Sequence, residues 1–194
     1  MHPLLILTQW PAESSPIPLI FPKKEVSALP VRRLTRCAVL TALALALSVA
    51  EGLLPLTILF PLPGLRLGLA NLVTVYALYA LSGREALLIL LARCVLGSLV
   101  GGNLTALAFS LTGGLLALGT MAALKRIPAL SLLGVSVGGA AAHNTGQILA
   151  AMAVLGSRAP LLYLPPLLLC SIVTGAVTGA ASALLIRQIP PPRN

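Results

Sequence analysis

Arg93 is the ionisable residue whose position in the sequence most needs an explanation, because it lies inside an apolar run that follows Gly83. A central arginine raises the free energy of membrane insertion by roughly 2.5–3.5 kcal/mol, so it persists where it faces protein or a ligand. Two interpretations fit. Arg93 forms an internal ion pair, for which Glu51 is available, or it anchors an anionic substrate group through paired hydrogen bonds.

A second polar group, His143-Asn144-Thr145-Gly146-Gln147, interrupts a run of small residues. On a helix His143 and Gln147 lie four positions apart and share a face, with Asn144 beside them. The cluster either lines a ligand site or forms hydrogen bonds between helices. A single histidine without acidic neighbours does not form a zinc site, so we expect no metal and no cofactor.

Arg66 and Asn71 flank the predicted start of a helix that follows Pro63-Gly64. A helix N-terminus beside an arginine favours anions, and the Asn71 amide offers both a donor and an acceptor. An ordinary helix start with an interfacial arginine is the alternative. The predicted substrate-binding residues are Arg66, Asn71, Arg93, His143, Asn144 and Gln147, and none is assigned to catalysis.

Glu51 ends the first apolar block, next to Gly52. There a carboxylate is tolerated at the outer membrane interface, where water reaches it. The other interpretation is a pair with Arg66 or Arg93.

The composition predicts an integral membrane protein. The chain is 58% hydrophobic and 9% charged, whereas soluble domains carry about 25% charged residues. The net charge of +9 comes from basic residues scattered at the ends of apolar blocks. They form no aromatic-interleaved patch, which argues against nucleic acid as a partner.

The apolar blocks predict an all-α fold of six transmembrane helices, at about 34–54, 67–82, 84–101, 103–124, 130–155 and 162–186. Residues 34–188 form the transmembrane domain. Residues 1–33 form a proline-rich cytoplasmic tail, disordered or added by a start site placed too early, and residues 189–194 form a second tail. The apolar but proline-rich segment 55–66 is predicted to cap the outer face.

The basic residues set the orientation. With the N-terminus inside, the outer side receives only Arg66 and Arg158, and the inner side receives Lys23, Lys24, Arg32, Arg33, Arg36, Arg84, Lys125, Arg126, Arg187 and Arg193. This bias predicts six spans in the plasma membrane with both termini cytoplasmic.

Small residues recur at helical spacing. Ala38, Ala42, Ala46 and Ala50 form a ladder along the first helix, and GxxxG-type pairs occur at Gly97/Gly101 and Gly175/Gly179. Such spacing lets helices approach closely, either within the chain or against another membrane protein.

Several strings together resemble the heptaprenyl diphosphate synthase component I family, also called the Gx transporter family. They are the segment 63–71, Glu85-Ala86 with Arg93 and Gly97-Ser98, the segment 110–114, and Gly134–Val137 with His143-Asn144-Thr145-Gly146-Gln147. The resemblance covers about residues 34–186. That family is similar to the S components of energy-coupling-factor vitamin transporters, whose first-helix ladder contacts a transmembrane coupling subunit that works with ATPases. The resemblance therefore implies an S-component-like bundle and those partners.

The leading expectation is a substrate-binding subunit of a small-molecule transporter. The alternative is a non-catalytic membrane component of heptaprenyl diphosphate synthase, in isoprenoid quinone biosynthesis. Prenyl diphosphate synthases hold magnesium with aspartate-rich motifs, and this chain contains no aspartate. We therefore expect that it is not an enzyme.

Overall fold

The computed structural model describes residues 28–53, 66, 68–101 and 104–189, and this part of the chain is helical without strands. The elements are α1 (Ala28–Gly52), α2 (Asn71–Ala80), α3 (Gly83–Gly101), α4 (Leu104–Leu124), α5 (Leu132–Leu155), a 3-10 turn (Ala159–Tyr163) and α6 (Leu164–Gln188). The predicted all-α class is confirmed at this level.

Among the described residues, three helical stretches are long and apolar enough to cross a membrane: Val31–Gly52, Leu104–Leu124 and Ala159–Gln188. They identify a membrane protein, as the composition predicts.

Most helix ends lie close to the predicted positions because local chemistry fixes them. The Ser131 hydroxyl accepts a hydrogen bond from the Gly134 backbone N–H at 3.2 Å and caps α5, and Gly156 ends α5 in the left-handed conformation. α1 begins at Ala28, about six residues before the predicted start. The predicted capping segment 55–65, the turn residues 102–103 and most of both predicted tails lie outside the described residues.

α2 is shorter than the predicted helix at 67–82. It contains ten residues, so it is about 15 Å long, half of the hydrocarbon thickness. Gly68 has a φ of +89°, which prevents the helix from extending back through the preceding residues. The Asn71 backbone N–H donates to the Gly68 carbonyl at 2.8 Å and closes the turn that begins α2.

This short helix lies at the centre of the bundle. Eight of its ten residues are buried, and it contacts all five other helices. Around it α1 packs on α3, α3 on α4, α4 on α5 and α5 on α6. Within the described residues α1 and α6 do not touch, so an apolar cleft of about 250 Å³ opens between α1, α2 and α6.

Glycine allows close backbone contact among α4, α5 and α6. A methyl group on Gly146 would lie 2.8 Å from the Gly113 Cα, and one on Gly175 would lie 2.5 Å from the Val137 Cα. Of the two predicted GxxxG-type pairs, Gly175/Gly179 makes close contacts of this kind. A methyl group on Gly97 would meet only Leu45, at an ordinary 3.5 Å.

The alanine ladder faces outward. Ala38, Ala42, Ala46 and Ala50 are all exposed, and the buried face of α1 carries Thr41, Ala44, Ser48 and Glu51. Within the described residues the ladder therefore serves no internal packing.

Candidate functional site

Glu51 holds the end of the chain segment that leads into α2. Its carboxylate accepts hydrogen bonds from the backbone N–H groups of Gly68, at 2.6 Å, and Leu69, at 3.1 Å. The residue is only 2% exposed, so the interpretation of Glu51 as a water-facing interfacial carboxylate is wrong. The anion-binding position predicted at the start of α2 is occupied by a carboxylate of the chain itself.

Gln147 and His143 hold the same segment from the opposite side. The Arg66 backbone N–H donates to Gln147 Oε1 at 3.2 Å, and Gln147 Nε2 lies 2.9 Å from His143 Nε2. Because the Gln147 oxygen accepts, its nitrogen donates, and the hydrogen-bond pattern assigns His143 Nε2 as the acceptor. The imidazole is then neutral and carries its proton on Nδ1.

Asn71 and His143 both lie close to Gly68. A methyl group on Gly68 would lie 3.0 Å from Asn71 Nδ2 and 3.1 Å from His143 Cδ2, so the glycine leaves room for both side chains. Asn71 is 3% exposed, and neither atom of its amide group has a hydrogen-bond partner among the described residues. Both sides of this amide are therefore available to a ligand.

Arg93 is 5% exposed and reaches α1. Its Nη1 donates to the Ser48 hydroxyl at 3.3 Å, and Nη1 of half-buried Arg66 donates to the Ser48 carbonyl at 3.4 Å. Nε and Nη2 of Arg93 have no partner within the described chain. The expected direct pair with Glu51 is not the arrangement found, since Arg93 binds the residue one turn earlier on α1.

The two arginines share a small polar cavity between α1, α3 and α4. Its volume is about 10 Å³, enough for roughly one water molecule. Its lining comprises Ser48, Arg66, Arg93, Cys94, Gly97, Ser98, Ala106 and Ser110. Arg93 also lies near Gly114 on α4, where an added methyl group would be 3.5 Å from Nη2.

Asn144 is the predicted site residue that faces elsewhere. Its Nδ2 donates to the Leu167 carbonyl at 2.8 Å, so it fastens α5 to α6. The structure brings the other five predicted residues to one end of the bundle core, around the start of α2. In the described part of the chain, no three His, Cys, Asp or Glu side chains gather as metal ligands do.

Ser48, Glu51 and Ser110 take part in this site but are absent from the predicted set. Ser48 and Glu51 share the buried face of α1 with Thr41 and Ala44. These four residues follow one another at intervals of three, four and three positions, and this helical spacing is the available sequence signal. Ser110, which is 6% exposed, has no comparable signal, since single serines are common in membrane helices.

A family model described as heptaprenyl diphosphate synthase component I matches residues 40–185, about three quarters of the chain. The matched region contains all of the predicted substrate-binding residues. No curated protein and no solved structure matches the chain.

Proposed function

The chain belongs to the heptaprenyl diphosphate synthase component I family, and on that premise we propose that it is the membrane-embedded, substrate-binding subunit of a small-molecule transporter. It captures a polar molecule from the outer side of the plasma membrane. It is not itself an enzyme.

The observation that carries this proposal is the buried Asn71 amide, which has no hydrogen-bond partner in the described part of the chain, at a point where Glu51, His143 and Gln147 converge. An amide buried without partners is unfavourable by roughly 1–3 kcal/mol on mutational scales. A bundle stabilised only by apolar packing would be more stable with leucine at this position. Retention of such a group is explained if a ligand supplies the missing partners.

Six spans with cytoplasmic termini fit the described helices. α3 has 19 residues and α5 has 24, so they are about 28 and 36 Å long, enough to cross. α2, at about 15 Å, spans part of the hydrocarbon thickness. Lys125 at the end of α4 donates to the Leu78 carbonyl at 2.7 Å. That contact supports a common inner end for α2 and α4, where basic residues collect.

Partners supply the energy in this proposal, because the chain lacks the Gly-x4-Gly-Lys-Ser/Thr phosphate-binding loop of ATPases. The exposed ladder Ala38, Ala42, Ala46 and Ala50 is the docking face for a transmembrane coupling subunit that works with ATPases. Its outward orientation on α1 supports this role.

One observation favours the second candidate, a non-catalytic membrane component of heptaprenyl diphosphate synthase. The apolar cleft between α1, α2 and α6 has Arg36 on its lining. A prenyl chain would fit its apolar wall, with the diphosphate near that arginine. The family description names this activity, but the cleft does not involve the polar residues at the start of α2.

Mass spectrometry of small molecules that co-purify with the protein tests both candidates. We expect a polar, water-soluble molecule to remain bound to the wild type and to be lost from Asn71→Leu. The variant should be as stable as the wild type or more stable when ligand-free, because it removes an amide without partners. Asn144→Leu is the matched control, which should lose stability but keep the molecule.

A prenyl lipid in place of a polar molecule would support the second candidate and overturn the first. A bound polar molecule that survives Asn71→Leu unchanged would remove Asn71 from the site.

A further inference from the structure

We propose that the substrate carries a single negative charge on a carboxylate-like group, and that this group binds between α1, α3 and α4 to Arg93 and Arg66, with Ser48 and Ser110 beside it. This inference rests on the proposed function and specifies the substrate class. The proposed site differs from a general anion site because it takes one negative charge, accepts a small end group and lies between α1, α3 and α4.

The charge of the surrounding side chains gives the first argument. Arg66 and Arg93 contribute two positive charges, and Glu51 contributes one negative charge, which is already bound to two backbone N–H groups. His143 is neutral because its Nε2 accepts from Gln147. The described residues therefore leave one net positive charge around the buried Arg93 guanidinium, and a buried charge without a direct counter-charge is strongly unfavourable. A monoanion restores neutrality.

The hydrogen-bond donors give the second argument. Arg93 uses Nη1 for Ser48, while Nε and Nη2 are buried without partners. Nε and one terminal nitrogen of a guanidinium are parallel donors that match the two oxygens of a carboxylate. The Ser110 side chain lines the same cavity.

The size of the cavity gives the third argument. A volume of about 10 Å³ holds roughly one water molecule, so it accepts about one oxygen atom of a compact end group and excludes the two linked phosphates of a diphosphate. A diphosphate also carries more than one negative charge, which would reverse the sign of the imbalance. This position therefore selects a carboxylate over a prenyl diphosphate.

Titration of the purified protein with formate tests the inference, with thermal unfolding as the readout. Buffers are matched in ionic strength with a bulky counter-anion that carries no carboxylate group. We expect a saturable rise in the unfolding midpoint with formate, weaker binding of chloride, and no saturable effect of inorganic pyrophosphate. Arg93→Gln should weaken formate binding by about tenfold or more, since it removes a charge-assisted contact. Arg158→Gln, at an exposed arginine outside the site, should not change it.

Ser110→Ala provides a milder variant in case Arg93→Gln fails to fold, and it should weaken formate binding by several-fold. Chloride binding equal to that of formate would show a site for inorganic ions and overturn the inference. Formate binding that persists unchanged in both variants would also overturn it.

The same titration separates this inference from the proposed function. A co-purified neutral or cationic molecule with no formate binding would refute the carboxylate site and leave the transporter subunit intact. Formate binding in a protein that retains no polar molecule would support the carboxylate site and count against the transporter subunit.

Discussion

The half of the bundle formed by α4, α5 and α6 and the half that contains α1 and α3 are each held together by different physical means. α4, α5 and α6 pack backbone against backbone, with Gly113, Gly146 and Gly175 at the contacts. α1 packs on α3 through ordinary side-chain contacts and does not touch α6 within the described residues. Near the C-terminal end of α1, the Glu51 carboxylate and the Ser48 carbonyl connect it to the other half by accepting hydrogen bonds from the chain around the start of α2.

The difference suggests a division of roles. Glycine contacts depend on shape and leave no alternative arrangement, so the α4–α5–α6 half forms a rigid platform. Hydrogen bonds to one short segment can be exchanged for bonds to a ligand at smaller energetic loss. We therefore infer that the substrate site lies where the two halves meet, with His143 and Gln147 on the rigid side and Glu51 on the adaptable side.

The largest expected effect comes from adding one methyl group to the rigid half. Gly146→Ala places a Cβ 2.8 Å from the Gly113 Cα, so α4 and α5 must separate, and we expect a loss of about 2–3 kcal/mol in the free energy of unfolding. Gly97→Ala on α3 is the matched change in the other half, where the new methyl group has room.

We expect Gly97→Ala to be neutral or to stabilise by up to about 1 kcal/mol, from helix propensity alone. Thermal unfolding in detergent measures both variants. Equal losses of stability would show that the two halves are packed alike and would remove the basis of the comparison.

A smaller effect is expected from breaking the hydrogen bonds of Glu51. Glu51→Gln removes the negative charge and replaces one acceptor oxygen by an amide nitrogen, which cannot accept a hydrogen bond from the backbone. We expect a loss of about 1–3 kcal/mol and faster hydrogen exchange at the Gly68 and Leu69 amides. The platform amides of α5 should exchange at unchanged rates.

Glu85→Gln, at a half-buried glutamate in the first turn of α3, is the control for removing a negative charge from the chain. If it accelerated exchange at Gly68 and Leu69 as much as Glu51→Gln does, the effect would come from net charge rather than from the two hydrogen bonds.

The sequence predicted the long helices well because apolar length and turn residues determine them. α2 was predicted too long because Leu69 and Ala70 are apolar and compatible with a helix. The helix cannot begin earlier because Gly68 has a positive φ, which suits a turn whose backbone N–H donates to Glu51. That bond joins residues 17 positions apart, so no local pattern contains it.

The candidate site was predicted in part for a similar reason. Polar side chains avoid lipid, which indicated that Arg93, His143 and Gln147 point inward. The same reasoning applied to Asn144, but one residue turns a helix by about 100°, and this rotation directs its amide to Leu167 on α6. Avoidance of lipid identifies buried residues without specifying which neighbour they meet.

The smallest effect on stability is expected on the exposed face of α1. An unchanged free energy of unfolding is informative there, because it leaves partner binding as the property that the substitution alters. Ala46 is exposed, so Ala46→Leu should change the free energy of unfolding by less than about 0.5 kcal/mol. In the proposed docking role, however, the larger side chain prevents the close helix approach that the ladder permits. We expect it to abolish co-purification with co-expressed coupling and ATPase subunits.

Val49→Leu is the matched control, because Val49 is 45% exposed on the same helix but lies outside the ladder. It places the same leucine side chain on the exposed surface of this helix and should leave co-purification intact. If Ala46→Leu co-purified as well as Val49→Leu, the docking face would lie elsewhere. Because neither variant perturbs the fold, the difference between them would report the partner interface and not the packing of α1 on α3.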